Sequence, residues 1–363
     1  MRILVTGGAG FIGSNLIHYL LRKDRAEPIE RVICLDALTY SGNPENLAGL
    51  EGDSRYLMVH GSINDDALLA KLLATHQIQG VMHLAAETHV DRSIDSPELF
   101  FQSNVIGTLR LVEACRRHWR QLPGPDREQF RFLHVSTDEV FGSLEASDPP
   151  FSEETAYDPH SPYAASKAGS DHLVSSYWHT YGFPVLTTNC SNNYGPRQFP
   201  EKLIPLMILS ALQERPLPVY GDGRQCRDWL YVEDHCRALD AILRRGIPGE
   251  TYAVGSGSDI TNLEIVHHLC RLLDQYAPRP GKRPHAENIA HVADRPGHDR
   301  RYAISNAKVR SDFGWKPEET LATGLEKTVR WYLENKSWSE SITKRTAVFA
   351  RLGTADQKAP VKS

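Results

Sequence analysis

Residues 2–13 read RILVTGGAGFIG, and the fold follows from how that stretch is parsed. Its first five residues are a short apolar run with β-branched members, the composition of a strand buried on both faces. Thr6, Gly7, Gly8, Ala9, Gly10, Phe11, Ile12 and Gly13 then place glycines at the T-G-x-x-G-x-x-G spacing between that strand and a helix. Glycines there let backbone approach a pyrophosphate closely, and the helix start adds free N–H groups and the positive end of its dipole. Alone the turn is a weak signal, because any tight strand-to-helix turn favours glycine on steric grounds.

Outward from this turn the same alternation continues. Runs 31–36, 56–61, 80–86 and 130–136 read as further buried strands, and 184–190 extends the set. Segments 15–23, 65–75 and 104–119 carry apolar residues three and four apart, the spacing of one helix face. Strand, helix, strand in series predicts an α/β fold: a doubly wound parallel sheet of Rossmann type over 1–190, with a further helix at 161–182. Past about Asn192 the pattern loosens into proline- and glycine-rich stretches at 194–205, 216–223 and 278–284. We read 191–335 as a smaller mixed α/β lobe, with loops rather than a second regular sheet and with some elements returning to the large domain. Residues 336–363 read as a flexible tail.

The chain has 363 residues, 40% of them hydrophobic, enough for a substantial core. Its formal net charge is -4 with acids and bases interleaved, which makes no case for nucleic acid or an anionic membrane as partner. Anionic small molecules fit. The six cysteines are scattered without a C-x-x-C pair, as expected of reduced thiols in a cytoplasmic protein. The apolar start is broken by glycines and too short for a membrane span or a leader.

Asp36 ends the second strand roughly twenty residues after the glycine turn, where a carboxylate accepts from ribose hydroxyls and repels a 2′-phosphate. NAD is therefore expected over NADP. Leu84, Ala85 and Ala86 fall along the same crevice. Ser161 and Pro162 look like an N-cap and first helical residue, which puts Tyr163 in the first turn and Lys167 one turn on, on the same face. At about 5.5 Å and an effective dielectric near 20, an ammonium would favour a phenolate by roughly 3 kcal/mol, or about two pKa units. A Y-x-x-x-K spacing by itself is common on solvated helices. Thr137, Asp138 and Glu139, however, follow a strand end, where open α/β sheets assemble their ligand crevice. An adjacent acid and base exceed what hydride transfer needs and suggest an elimination. Adjacent His267 and His268 cannot face one ion from a helix, and His83 and His89 lack a ligand set, so no metal is expected. His89 and Asp91 read as loop residues near the substrate.

Longer stretches carry a resemblance: LAAETHVDRSI (84–94), STDEVFG (136–142), SPYAASKAGSDHL (161–173), NCSNNYGP (189–196), FPEKLIPL (199–206), PLPVYGDG (216–223), RDWLYVEDH (227–235) and DRPGHDRRY (294–302). Through residue 335 the chain resembles the extended short-chain dehydrogenase/reductase family and, within it, the nucleotide-sugar 4,6-dehydratases. The resemblance implies tightly held NAD, regenerated each cycle, and dTDP-glucose as substrate. The product would be dTDP-4-keto-6-deoxy-glucose plus water, for deoxysugar biosynthesis such as that of rhamnose. Tyr163, helped by Lys167 and Thr137, would take the 4-hydroxyl proton, Glu139 the C5 proton, and Asp138 would protonate the departing 6-oxygen. Leu38, Thr39, Ser62, Ile63, Ser103 and Asn193 join the glycine turn, Asp36, Leu84–Ala86, Tyr163 and Lys167 as implied cofactor contacts. Thr88, Asn192, Lys202, Leu203, Pro218, Tyr220, Arg227, Asn262, His298 and Tyr302 are implied nucleotide-sugar contacts; Asn262 reads equally well as a helix N-cap. Ser62 stands where the family usually carries an aspartate, and Phe141 replaces a usual tyrosine. A homodimer through a four-helix bundle of 104–117 and 163–181 is also implied, although both apolar stripes would serve in a monomer core. A nucleotide-sugar 4-epimerase or decarboxylase is the alternative enzyme, and a non-catalytic NAD-binding protein the alternative class.

Overall fold

The computed structural model of the protein describes residues 1–294 and 298–345. Six apolar runs become the strands β1 (Arg2–Thr6), β2 (Arg31–Asp36), β3 (Tyr56–His60), β4 (Gly80–His83), β5 (Arg131–Thr137) and β6 (Val185–Cys190). With Thr251–Val254 they form one seven-stranded sheet in the order Thr251–Val254, β6, β5, β4, β1, β2, β3, and all its pairings are parallel. The chain winds outward from β1 through β2 and β3, then crosses to β4 and winds the other way. That reversal opens a crevice between the carboxyl ends of β1 and β4, the place where such sheets take ligands. Thr6 lies level with Leu35 on one side and His83 on the other, so the glycine turn, Asp36 and Leu84 leave the sheet at one height.

Apolar side chains cover both faces. Helix Phe11–Leu20 buries Leu16, Ile17 and Leu20 with Ile3, Val5 and Val32, and on the opposite face Leu4, Ile33 and Val81 meet Leu69, Leu72 and Leu111. Helix Val232–Arg245 also belongs to the first of these cores, through Val232, Cys236, Leu239, Ile242 and Leu243. Together with strand Thr251–Val254 it carries the large domain well beyond residue 190, so the chain passes between the lobes more than once.

The smaller lobe corrects the expectation of loops without a sheet. Cys226–Tyr231 pairs with Asp259–Thr261, Arg301–Tyr302 and Asn192–Tyr194, while Leu217–Tyr220 pairs with Ile289–Val292. These strands are short and separated by proline- and glycine-rich stretches, which hides their period in sequence. Two boundaries also move: the strand expected over 80–86 ends at His83, and the helix expected from 15 starts at Phe11. The expected tail is corrected over its first ten residues. Lys336–Arg345 is a helix whose Trp338 and Ile342, one turn apart, are buried in the second lobe's core. Trp338 packs on Trp331 at a centroid distance of 4.8 Å and donates through Nε1 to Asn46 Oδ1 at 2.8 Å. Residues 346–363 lie outside the described residues.

Candidate active site

A cavity of about 570 Å³ runs over the carboxyl ends of β1, β2 and β4. Gly7, at φ +69°, presses against Ala85, where an added Cβ would sit 2.7 Å from its backbone, and a Cβ on Gly13 would reach 2.2 Å from the Gly7 carbonyl oxygen. On Gly10 the same atom would meet only that carbonyl, at 3.3 Å, so this side of the turn stays open. No side chain caps helix Phe11–Leu20, which leaves its first N–H groups to a ligand. Asp36 is held beside it, its carboxylate accepting from the Ala9 N–H at 2.9 Å and the Leu38 N–H at 2.8 Å. Phe11, Ile12, Thr39, Ser62, Ile63, Leu84, Ala86 and Ser103 line the remaining wall. An open glycine turn, uncapped N–H groups and a fixed carboxylate together fit a dinucleotide. Leu38 departs from expectation: it adopts φ +51° and turns its side chain toward the core rather than the cavity. Ser103 sits in a π-helical stretch, Phe101–Gly107, that the sequence did not suggest.

The chemistry-bearing groups converge at the inner end of this cavity. Ser161 caps the catalytic helix, Pro162–Tyr181, by accepting from the Ala164 N–H at 3.0 Å, which sets Tyr163 and Lys167 on its inward face. Thr137 ends β5, and Asp138 and Glu139 begin a single 3₁₀ turn. All five line the cavity. Asp138 is 1% exposed, and its Oδ2 has no hydrogen-bond partner. Burial, then the charges of Glu139 and Asp228, hold its carboxyl well above the usual carboxylate range. A buried carboxylic acid that keeps its proton is suited to donate it. The Thr137 hydroxyl donates to Asp138 Oδ1 at 3.3 Å and is also a hydrogen-bond partner of the Tyr163 phenol.

One electrostatic expectation fails. Burial first, then Glu139, hold the Tyr163 phenol well above its usual range. Lys167 does not reverse this, because its ammonium donates to the Val135 carbonyl at 2.8 Å and is itself pulled down by burial. Desolvation outweighs the roughly 3 kcal/mol that a through-space ammonium was expected to supply.

A second cavity of about 630 Å³ adjoins the first. Asn192, Lys202, Leu203, Pro218, Tyr220, Arg227, Asn262 and His298 line it, together with Glu139, His89 and Asp91. Thr88 faces the cofactor cavity, and Asn193 lines both. Tyr302 stands one layer back, stacked on the Arg227 guanidinium at 4.2 Å with its hydroxyl on Asp299. Asn262 is not the N-cap. Thr261 caps that helix in a capping box with Glu264, which leaves Asn262 Oδ1 buried and unpartnered on the cavity wall. Asn192 Oδ1 is orphaned in the same way. Two buried acceptors without donors are hooks for a polar ligand. Phe141 packs against Phe151 and Tyr157, each at 5.2 Å between centroids, and lines neither cavity.

Reading the sequence missed the wall that separates the two cavities. Arg92 stacks 3.7 Å over Tyr40, whose hydroxyl donates to Glu201 at 3.2 Å. The three residues come from distant segments, and only the position of Glu201 beside Lys202 could have pointed to it. Asp228, which accepts from the Ser256 and Gly257 N–H groups, was also unmarked. Among the described residues no group of three or more His, Cys, Asp or Glu side chains could hold a metal ion.

A dinucleotide turn, a tyrosine and lysine on one helix face, and an acid and base at the adjoining strand end define an extended short-chain dehydrogenase/reductase equipped for elimination. Residues 4–328 match the profile of the GDP-mannose 4,6 dehydratase family. A dTDP-glucose 4,6-dehydratase of Xanthomonas campestris pv. campestris is 53% identical over 350 residues, covering 96% of this chain and 98% of that one. One from Neisseria meningitidis serogroup B is 51% identical over 355 residues, 97% and 99% of the two chains. The crystal structure of a Streptomyces venezuelae dTDP-glucose 4,6-dehydratase with NAD bound superposes with a TM-score of 0.85 at 43% identity, covering 94% of this chain and all of that one. A Thermus thermophilus UDP-glucose 4-epimerase, also with NAD, reaches 0.78 at 29% identity, covering 92% of this chain and all of that one. The chain belongs to the dTDP-glucose 4,6-dehydratase family.

Proposed function

We propose that this protein converts dTDP-glucose to dTDP-4-keto-6-deoxy-glucose and water, with NAD held by the glycine turn, Asp36, Ser62, Ser103, Tyr163, Lys167 and Asn193. Bound against these residues, NAD would supply a reversible hydride acceptor for the sugar's C4 and C6, and its positive charge would favour loss of the Tyr163 proton. The chain's own residues move the protons. Tyr163 takes the proton of the 4-hydroxyl, and a 4-keto sugar has an acidic C5–H. Glu139, which faces both cavities, takes that proton. Asp138 gives its proton to the leaving 6-oxygen as water departs, and Glu139 returns its proton to C5 as hydride reaches C6. Each cycle thus leaves Tyr163 one proton richer and Asp138 one poorer, and the Thr137 hydroxyl is bonded to both. Lys202 and Arg227 suit the diphosphate, and Asn192 and Asn262 offer acceptors to hydroxyl or base N–H groups.

The observation that carries this reading is the buried Asp138, lining one cavity with Glu139 and Tyr163 and held by burial well above the usual carboxylate range, a set that epimerisation does not use. C4-deuterated dTDP-glucose, incubated without added NAD, should lose water and carry deuterium at C6. Unchanged mass with inverted C4 would make the enzyme an epimerase instead.

We also propose a homodimer. Leu99, Phe101, Ile106 and Leu109 expose apolar surface along Pro97–Gln121, and Tyr181 does so at the end of the catalytic helix. Ile106→Glu with Leu109→Glu should halve the mass measured by light scattering while NAD remains bound; an unchanged mass places the interface elsewhere. No described helix is long and apolar enough to cross a membrane. All six cysteines are free thiols, which supports a cytoplasmic location.

A further inference from the structure

Below the catalytic groups lies a buried carboxylate that the proton transfers above do not use. Asp171 follows Lys167 by one turn on the catalytic helix and is 3% exposed. Its Oδ1 meets His134 Nε2 at 2.9 Å. Its Oδ2 accepts from Ser136 Oγ at 2.7 Å, Tyr157 OH at 3.0 Å and Asn189 Nδ2 at 3.2 Å. The positions of these donors matter. His134 and Ser136 are on β5, just before Thr137. Asn189 is on β6 and spends the same Nδ2 on the Thr137 carbonyl at 3.1 Å. Tyr157 lies between the acid pair and the catalytic helix in sequence. One side chain therefore ties the helix bearing Tyr163 and Lys167 to the strand end bearing Thr137, Asp138 and Glu139.

The second consequence is electrostatic. The buried Lys167 ammonium is surrounded by His134 on β5, His83 on β4, Cys190 on β6, and Tyr163 and Asp171 on its own helix. Burial keeps both histidines neutral and pushes the Cys190 thiol up, and without NAD the Tyr163 phenol as well, so in the absence of NAD these groups offer Lys167 no negative charge. Asp171 leads the groups that favour the charged ammonium. A buried ammonium without a counter-charge tends to lose its proton.

We propose that Asp171 is a positioning residue for the dehydration: its hydrogen bonds to β5, β6 and Tyr157 lock the catalytic helix to the catalytic strand, and it places a carboxylate one helical turn from Lys167. It touches neither cavity, so it acts through Lys167 and Thr137. The inference deepens the reading above and rests on it.

The test compares holoenzyme carrying Asp171→Asn, Asn189→Ala or no change. In 15N-lysine-labelled protein the Lys167 ζ-nitrogen resonance is assigned by its loss in Lys167→Met and followed against pH. It should titrate at lower pH in Asp171→Asn and hold its place in Asn189→Ala, which loosens the clamp but keeps the charge. Both variants should lower kcat by roughly 10- to 100-fold with KM for dTDP-glucose little changed, since misplacing a catalytic group costs that much. A lower melting temperature with unmoved Lys167 titration and unmoved kcat would reduce Asp171 to a packing residue and overturn the proposal. If Asp171→Asn does not fold, Ser136→Ala and Tyr157→Phe each remove one donor to the same carboxylate, and an unchanged kcat in both is equally fatal. A wild-type protein that fails to dehydrate dTDP-glucose would sink the dehydratase reading alone, because the lysine titration needs no turnover.

Discussion

At the scale of single residues, the division of labour between Asp138 and Glu139 comes from environment rather than from side-chain chemistry. Both are carboxylic acids one residue apart. Burial and neighbouring negative charge hold the Asp138 carboxyl well above the usual carboxylate range, while Glu139 also lines the second cavity. Asp138→Asn preserves the shape and removes the acid. We expect it to retain C4 oxidation, seen as nicotinamide absorbance on mixing with dTDP-glucose, while product forms roughly 10²- to 10⁴-fold more slowly. Equal losses in both phases would mean that Asp138 positions the sugar rather than protonating it. The adjacent acid and base were legible in the sequence because they follow a strand end directly. Asp171 was not, although it lies inside a quoted motif, since its partners are brought together only by folding.

At the scale of elements, legibility tracked how strictly burial imposes a period. β1, β2, β5 and β6 are covered by helices on both faces, so their continuous apolar runs stand out. The small lobe's strands are two to six residues long, mix polar with apolar side chains, and lie among proline- and glycine-rich stretches, so they read as loops. Helix Lys336–Arg345 is a related case. Its mean character is polar, and among its described side chains the apolar ones in the core are Trp338 and Ile342, too few to signal a helix next to a polar terminus. The structure nonetheless makes Trp338 a bridge between lobes through Trp331, Tyr332 and Asn46. Trp338→Ala should cost about 3–5 kcal/mol, the range for truncating a large buried aromatic. Urea unfolding would measure it. A loss below about 1 kcal/mol, the level of an ordinary surface change, would return this segment to the role of a dispensable tail. NAD binding should persist, since no described side chain of the helix lines either cavity.

At the scale of the whole molecule, the same burial that tunes the site sets how stability responds to acid. His83, His134 and His235 are fully enclosed, and burial lowers the affinity of each for a proton; His235 falls to about 3. His235 is wedged against Asn193, its Nδ1 at 2.9 Å from Oδ1, and its Nε2 has no partner. In the unfolded chain these rings titrate near the usual histidine value of about 6.5. Between that value and about 3 the unfolded state holds a proton on His235 that the native state lacks, so stability falls as pH falls. Each such histidine contributes a slope approaching ~1.4 kcal/mol per pH unit. Asp36, Asp138, Asp228, Glu87 and Glu201 act oppositely, because burial raises their values and the native state then keeps protons the unfolded state gives up. The net slope is a difference, and one histidine is best isolated by substitution. His235→Asn removes that titration, so on acidification from about 6.5 to 5 the variant should lose less stability than the wild type. The gap should approach ~2 kcal/mol over that window, from the per-unit slope above, whatever hydrogen-bond strength the substitution costs at neutral pH. Chemical denaturation at the two pH values gives both numbers. Parallel slopes would mean that His235 takes up its proton in the native state as well, with water reaching the enclosed face of Asn193.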